Sequence, residues 1–313
     1  MKISVIIPTF NGADLLERSL ETWTRQSIPL SDFEVIVVDN NSTDQTREII
    51  RGFVNQYDNF RYLREMRPGA SHARHTGAAD AKAEILLFAD DDGLFNTVCL
   101  EEILKVYETI PDVAAVAGRI ELLWDRTPPE WISPYEFMLG KLDYGDKIIT
   151  GYDIYLNGGL FSIRKNVFNE LKGFNPDLSG DHLTGDGDTG LVRKLHNKRY
   201  LIGWTPYACM QHMLSAEKHG TVKDLGRRFY NIGISETYAM FRAGNFELSG
   251  SIRKEFLRGL IFFFKKGAEY TASGMKNHNA YFSLMQRKGE ITFYLRWLSP
   301  SFRGNCRAEE HFL

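Results

Sequence analysis

Three consecutive carboxylates, Asp90, Asp91 and Asp92, follow an apolar run of Ile85, Leu86, Leu87 and Phe88. Their mutual repulsion makes it costly to keep all three ionised without a counter-charge, and a divalent cation on oxygen ligands turns that cost into binding energy. Asp90 and Asp92 are alternate residues and can address one ion or its bound water, while Asp91 can face elsewhere and, with Asp90, is a candidate contact to a bound donor. Taken alone, the triplet reads equally as an acidic turn after a strand. Its position favours the cation, because the open end of a buried parallel strand is where ligands sit in α/β sheets. Mg²⁺ or Mn²⁺ is the ion such oxygen-rich sites select.

Polar groups collect at other strand ends: Pro8, Thr9 and Asn11 after residues 3–7, and Asp39 and Asn41 after residues 33–38. The Asp39 carboxylate can accept from the imide N–H of uracil or thymine, or from the donors of guanine. Phosphates would then lie towards Asp90 and Asp92, with Arg67 and Arg74 as diphosphate contacts or as ordinary surface ion pairs. The chain lacks GxGxxG after its first strand and lacks GxxxxGK[ST], which removes the Rossmann dinucleotide site and the P-loop. Asp186 and Asp188 stand at the start of a helix read over residues 188–196, where the dipole stabilises a carboxylate. Either can take a proton from an acceptor hydroxyl, or serve as an N-cap. The aromatic stretch 122–151, with Trp124 and Trp131, comes just before Asn157, Gly158 and Gly159. It can stack on a sugar or form satellite core, and the glycines let backbone run close to a ligand.

The elements that must hold these residues alternate. Strands are expected at residues 3–7, 33–38, 60–63, 85–88 and 113–117, with helices at 13–23, after Ser42 or Thr43, at 71–81 and at 98–107. Pro8 should close the first strand, Ser42 or Thr43 should cap the second helix, and Gly118 should let the chain leave the sheet. Ile49, Ile50 and Phe53 should be that helix's buried face, and residues 207–210 an edge strand or tucked loop. Continuously apolar strands separated by amphipathic helices imply a mostly parallel sheet covered on both faces. From residue 221 the chain reads as helical and basic. Residues 252–266 set Phe256, Leu257, Leu260, Ile261, Phe262, Phe263 and Phe264 among Arg253, Lys254, Arg258, Lys265 and Lys266, which suits a helix on an anionic membrane surface or one packed on a neighbour.

With 313 residues, 25% of them charged, and a net charge of −2, the composition is that of an ordinary globular protein and gives no support to a nucleic-acid partner. Cys99, Cys209 and Cys306 match neither a zinc spacing nor a disulfide framework, so a reducing, cytoplasmic setting is expected. Lys2 leads straight into a short apolar run, which reads as a strand and not as an export signal.

Four stretches carry a resemblance: ISVIIPTFNG, VIVVDNNSTDQT, GASHARHTGAADAKAEILLFADDD and GDGDTGLVRKL. In that order, over residues 1–213, the chain resembles the family 2 glycosyltransferases, whose nucleotide-sugar fold is called GT-A. The resemblance implies an α/β fold, with a single GT-A domain over residues 1–220 and a helical C-terminal extension over 221–313. Residues 1–120 would be the nucleotide-sugar half and 121–220 the acceptor half. It implies an inverting enzyme that uses a divalent metal and a nucleoside-diphosphate sugar, uridine diphosphate ahead of guanosine or thymidine diphosphate. The acceptor would be a hydroxyl of a glycan or lipid-linked glycan, in bacterial surface polysaccharide synthesis, with the enzyme peripheral on the cytoplasmic face of the inner membrane.

By the same resemblance Asp39 reads the base, Asp90 and Asp92 form the DxD element, and a later carboxylate is the base. Many relatives read Gly-Glu-Asp where this chain has Asp186, Gly187 and Asp188. Either aspartate can match, and counting three back from Leu191 selects Asp188. His212 becomes a third metal ligand by resemblance, although a lone histidine after an apolar stretch is usually a hydrogen-bonded core residue. Two other classes stay open: a nucleotidyltransferase that makes a nucleotide sugar, which would be expected to carry a glycine-rich basic loop after the first strand, and a non-catalytic sugar-binding protein.

Overall fold

β1 (Ile3–Thr9) and β2 (Phe33–Asp39) are buried along their whole length, as strands covered on both faces must be. With α1 (Ala13–Trp23), α2 (Thr46–Gln56), β3 (Phe60–Arg64), α3 (Ala70–Asp80) and β4 (Ile85–Ala89) they build a sheet in the order β3-β2-β1-β4, parallel throughout. The computed structural model describes residues 1–175, 187–242 and 251–302. Alternation along the strands feeds two cores. Ile3, Val5 and Ile7 pack with Leu16, Leu20, Trp23 and Ile50 on one face, while Ile6, Ile36 and Val38 pack with Ala73 and Ala78 on the other. α3 sits close because it is made of small residues: a Cβ on Gly77 would come within 2.5 Å of Ile6 Cγ2.

Two local expectations give way here. β1 does not stop at Pro8; Pro8 is in register with Val38, and the missing N–H is harmless because the ladder to β4 runs only from Ile3 to Ile6. Ser42 and Thr43 do not cap α2, which begins at Thr46 without a side-chain cap. They are drawn instead to Asn11, whose N–H donates to Ser42 Oγ at 2.9 Å and whose Oδ1 accepts from the Thr43 N–H at 2.9 Å. Of the three apolar residues expected to be buried on α2, Ile50 is fully so, and Ile49 and Phe53 pack partly buried on the same core.

Beyond β4 come β5 (Gly93–Phe95), α4 (Cys99–Thr109), β6 (Ala115–Trp124), β7 (Ile149–Gly151), β8 (Leu160–Arg164), α5 (Lys165–Glu170), α6 (Gly187–Asn197) and β9 (Ile202–Leu214). The sheet continues β4-β8-β6-β9-β5, with β7 on β9. Beyond β4 the sheet is mixed: β8 runs against both β4 and β6, β6 runs parallel to β9, and β5 and β7 run against β9. Gly118 flanks a bulge and is not an exit: the extra residues, 206–208, are on β9. β6 continues to Trp124, and its register with β9 shifts between Gly118 and Arg119. A Cβ at Gly118 would lie 2.4 Å from Leu160 Cδ2 and 2.7 Å from the Ala208 carbonyl, so neighbouring strands crowd a site that only glycine fills. Residues 207–210 lie in the middle of β9 and not at an edge: Tyr207 and Ala208 belong to the unpaired step between Thr205 and Cys209, and Cys209 and Met210 rejoin the ladder to β6.

The chain ends in α7 (Ala216–His219), α8 (Val222–Arg242), α9 (Ser251–Ala272) and α10 (His278–Trp297). Leu225 of α8 and Phe282 of α10 share a core with Leu214 of β9 and with Ile132 and Leu139 of the 3₁₀ segment Glu130–Leu139. α8 and α10 cross at paired glycines: a Cβ on Gly233 would fall 2.0 Å from the Gln286 carbonyl oxygen, and one on Gly289 would fall 2.0 Å from that of Tyr230. Gly289→Ala should therefore destabilise the protein by about 1–3 kcal/mol, because backbone overlap outweighs the roughly 1 kcal/mol that alanine gains in helix propensity. Urea unfolding with an unchanged or higher midpoint would contradict this.

Candidate active site

Backbone pairing decides which side chains meet. β5 follows the acidic triplet directly and pairs with β9 so that Gly93 lies opposite His212, and the Met213 N–H donates to the Asp92 carbonyl at 2.9 Å. His212 Nε2 is thereby held 3.2 Å from Asp92 Oδ2, and His212 Nδ1 lies 2.8 Å from the Leu139 carbonyl oxygen. A carbonyl only accepts, so Nδ1 carries the proton and Nε2 is the nitrogen left to face Asp92. Burial of the ring works against its charge, but the hydrogen bond and charge of Asp92 outweigh burial and raise the His212 pKa. Asp92 Oδ1 is buried with no hydrogen-bond partner.

An orphaned carboxylate oxygen beside a correctly oriented imidazole nitrogen fits a hard divalent cation. Among the described residues, no three His, Cys, Asp or Glu side chains form a ready-made metal cluster. Asp92 and His212 are half a site, of the kind that phosphate oxygens and water complete.

The other two aspartates are separated from this pair by their partners. Arg74 of α3 donates from Nη2 to Asp90 Oδ1 at 2.8 Å. Burial, reinforced by the Asp92 charge and opposed by Arg74, raises the Asp90 pKa. Asp91 turns the other way and accepts from Thr9 Oγ1, and burial pushes its carboxyl up to about 7. Gly12, at the start of α1, leaves room for that pair, since a Cβ there would lie 2.6 Å from Asp91 Oδ2.

Asp188, in the first turn of α6, is fixed through both oxygens. The Gly158 N–H donates to Oδ2 at 2.7 Å and its neighbour Thr189 N–H donates to Oδ1 at 2.9 Å. The space where Gly158 lacks a Cβ is bounded by Arg74 Nη2 at 2.9 Å and Asp188 Oδ2 at 3.3 Å. One glycine thus sits between the guanidinium that holds Asp90 and the carboxylate that starts α6. Gly159 donates to Asn157 Oδ1 at 2.9 Å and offers its carbonyl to the Asp90 N–H at 3.4 Å. Asp90, Asn157, Gly159, Asp188 and His212 line one crevice of about 620 Å³.

Asp186 lies outside the described residues. Pro8, Thr9, Asn11, Asp39, Asn41 and Arg67 do not line the crevice, and Arg74, Asp91, Asp92 and Gly158 stand behind its wall, not in it. Asp39 is fully buried, with Oδ1 accepting from the Ser42 N–H at 2.7 Å and Oδ2 from the Tyr62 hydroxyl at 3.1 Å. Asn41, in the left-handed region at φ 68°, accepts from Arg64 Nη2 at 2.6 Å. Arg67 forks onto Glu65 at 3.0 and 2.8 Å and, with Thr76, holds that carboxyl down at about 2. The loops after β1 and β2 are therefore a cross-linked platform next to the crevice. Trp131 packs 4.7 Å from the His278 ring and 6.3 Å from that of Phe282, and Trp124 packs on the same satellite core, so neither faces the crevice.

The crevice also has walls that the sequence reading did not supply: Lys141, Tyr155, Thr189, and Arg228 and Asn231 from α8. Arg228 donates to Asp224 Oδ2 at 3.0 Å and to the Met138 carbonyl at 3.2 Å. The i,i+4 spacing of Asp224 and Arg228 was the available signal, although nothing in it says which wall the pair would support.

A family model for glycosyl transferase family 2 matches residues 4–172, more than half of the chain. The chain belongs to that family. This family 2 chain is 44% identical over 91 residues to the glycosyltransferase AglE of Haloferax volcanii, covering 29% of this chain and 30% of that protein. It is 36% identical over 117 residues to validoxylamine A glucosyltransferase of Streptomyces hygroscopicus, covering 37% and 28%. The matches thus span under a third of each relative's own length. Among solved structures, the mannosyltransferase PcManGT of Pyrobaculum calidifontis, in complex with GDP-Man and Mn²⁺, superposes with a TM-score of 0.57 at 19% identity, covering 97% of this chain and 73% of that one. S. aureus TarS 1–349, in complex with UDP-GlcNAc, gives 0.52 at 15% identity, covering 96% and 93%. At such identities the likeness establishes the fold, which is the GT-A arrangement expected from the sequence.

If Asp92 and His212 hold a cation, protons and metal compete for Nε2, and affinity should rise with pH. Because His212 titrates above its ordinary 6.5, the rise should be centred above that value. Calorimetric Mn²⁺ titrations of wild type at about pH 6 and about pH 8 should show it. Asp92→Asn should lose more than the roughly 10- to 100-fold that removal of a supporting partner costs. A flat pH dependence together with unchanged affinity in Asp92→Asn would exclude this cation site.

Proposed function

We propose that the chain is an inverting glycosyltransferase that moves a sugar from a nucleoside-diphosphate sugar, uridine diphosphate favoured, to a hydroxyl of a glycan or lipid-linked glycan acceptor. The observation that carries this reading is the crevice that Asp90, Asp188 and His212 line together, with Asp92 3.2 Å behind the His212 ring. A hydroxyl oxygen that attacks the anomeric carbon from one side while the diphosphate leaves from the other needs a proton acceptor and a place for the departing charge. Asp188 supplies the first. Each of its oxygens retains a lone pair beyond the backbone bonds from Gly158 and Thr189, and those bonds hold the carboxylate in one orientation. Asp92 and His212, with Asp90 alongside, are the residues that would hold a Mn²⁺ or Mg²⁺, whose positive charge would offset that of the leaving diphosphate. Asp39, with Asn11 and Asn41 in the platform beside it, is the proposed seat of the base, and Arg74 steadies the diphosphate end through Asp90. The complexes of TarS with UDP-GlcNAc and of PcManGT with GDP-Man support a nucleotide-sugar donor.

Loss of a positioned base should lower turnover about 10²- to 10⁴-fold, whereas loss of a mere helix cap should cost roughly 0.5–2 kcal/mol of stability and little rate per folded molecule. Asp188→Asn, assayed at saturating donor after its melting curve is checked, is expected to show the first pattern. Near-wild-type turnover would remove Asp188 from the chemistry.

For location, we propose peripheral association with an anionic membrane face on the cytoplasmic side. Among the described residues, no helix is long and apolar enough to cross a membrane. α9 instead leaves Leu257, Ile261 and Phe264 exposed at 58%, 71% and 69%, spaced i, i+4, i+7 on one face, with Arg258 and Lys265 exposed beside them. Co-sedimentation with phosphatidylglycerol vesicles should occur at low salt and fall as salt is added, because the electrostatic part is screened. Absence of binding at low salt would leave α9 without a lipid role.

A further inference from the structure

A second cavity, of about 640 Å³, opens on the flank of α8 away from the crevice, between α7 and α10. Its charges do not cancel. The two carboxylates in its wall already have arginines: Glu217 with Arg126 at 3.1 Å, and Asp224 with Arg227 and, at 3.0 Å, Arg228. Lys218, Lys223 and Lys288 also line it, and none has an ion-pair partner among the described residues. Three unneutralised ammonium groups around one hollow, in a chain whose net charge is −2, mark a local reversal of sign.

Tyr230 and Tyr281 close the cavity, and Gly226 lets Tyr281 lie against α8, since a Cβ there would come 2.7 Å from its ring. Lysines are point-charge phosphate binders, and tyrosines add ring faces and hydroxyl donors. A single carboxylate would answer only one of the lysines.

We propose that this cavity is a second binding site, for a phosphate ester that carries more than one negative charge, presented on a soluble molecule or on a lipid headgroup. The inference does not depend on glycosyl transfer, because neither donor nor attacking hydroxyl enters it. The test is calorimetric titration of the full chain with glycerol phosphate in low salt and chelator, alongside sedimentation with phosphatidylcholine vesicles containing phosphatidic acid, whose headgroup is the same ester.

The variant combining Lys218→Gln, Lys223→Gln and Lys288→Gln should bind at least about tenfold more weakly. Lys223→Gln alone should show part of that loss. A charge-matched variant at the exposed Lys82, Lys147 and Lys172, and Asp92→Asn, should bind as wild type does. Lysine-dependent binding of the soluble ester assigns a soluble ligand, and the same dependence on vesicles alone assigns a lipid headgroup. Binding to neither probe, or equal loss in the charge-matched variant, overturns the site.

Discussion

Three neighbouring carboxylates cannot all stay charged in a half-buried place without help, and much of the architecture around the crevice consists of the three different kinds of help it provides. Asp90 receives a guanidinium from α3, Asp91 a hydroxyl from the end of β1, and Asp92 an imidazole from β9. The partners come from three separate elements. The sheet order β1-β4-β8-β6-β9-β5 is therefore also the means by which one tripeptide is divided into an ion-paired, a buried and a cation-ready side chain. Glycines at 12, 93 and 158 are where a side chain would break that arrangement.

The parallel half of the fold was legible because its signals are local. Apolar runs such as Phe33 to Val38 and amphipathic helices such as Ala13–Trp23 announce themselves within a few residues. The second half was less legible because its strands are decided by neighbours. Gly118 looks like an exit until Leu160 and the Ala208 carbonyl are seen to crowd it, and alternation along β9 is broken by the three residues inserted between Thr205 and Cys209. Ser42 and Thr43 had the chemistry of caps but found a nearer partner in Asn11.

Residues of the site were legible by type, and less so by what they touch. The acidic triplet and the helix-start aspartate stand out in the sequence, while the bonds from Gly158 to Asp188 and from Leu139 to His212 span long stretches of chain that no local pattern encodes. Trp124 and Trp131 are the converse case. Aromatic residues near a glycine pair suggested a sugar shelf, but apolar area is better used against Phe282 and the helical extension than against water.

α8 belongs to two structures at once. Through Gly233 it is half of a tightly crossed helix pair, and through Arg228 and Asn231 it is a wall of the crevice. The family match ends at residue 172, well before this helix begins, so part of the reaction chamber lies outside the shared sequence signature. The crevice is therefore divided between matched and unmatched sequence. The acidic triplet, Arg74 and Gly158 lie within the matched stretch, while Asp188, His212 and the α8 wall lie beyond it. A chimera that exchanged only the matched region would keep the old wall, and one that exchanged the last three long helices would acquire a new one.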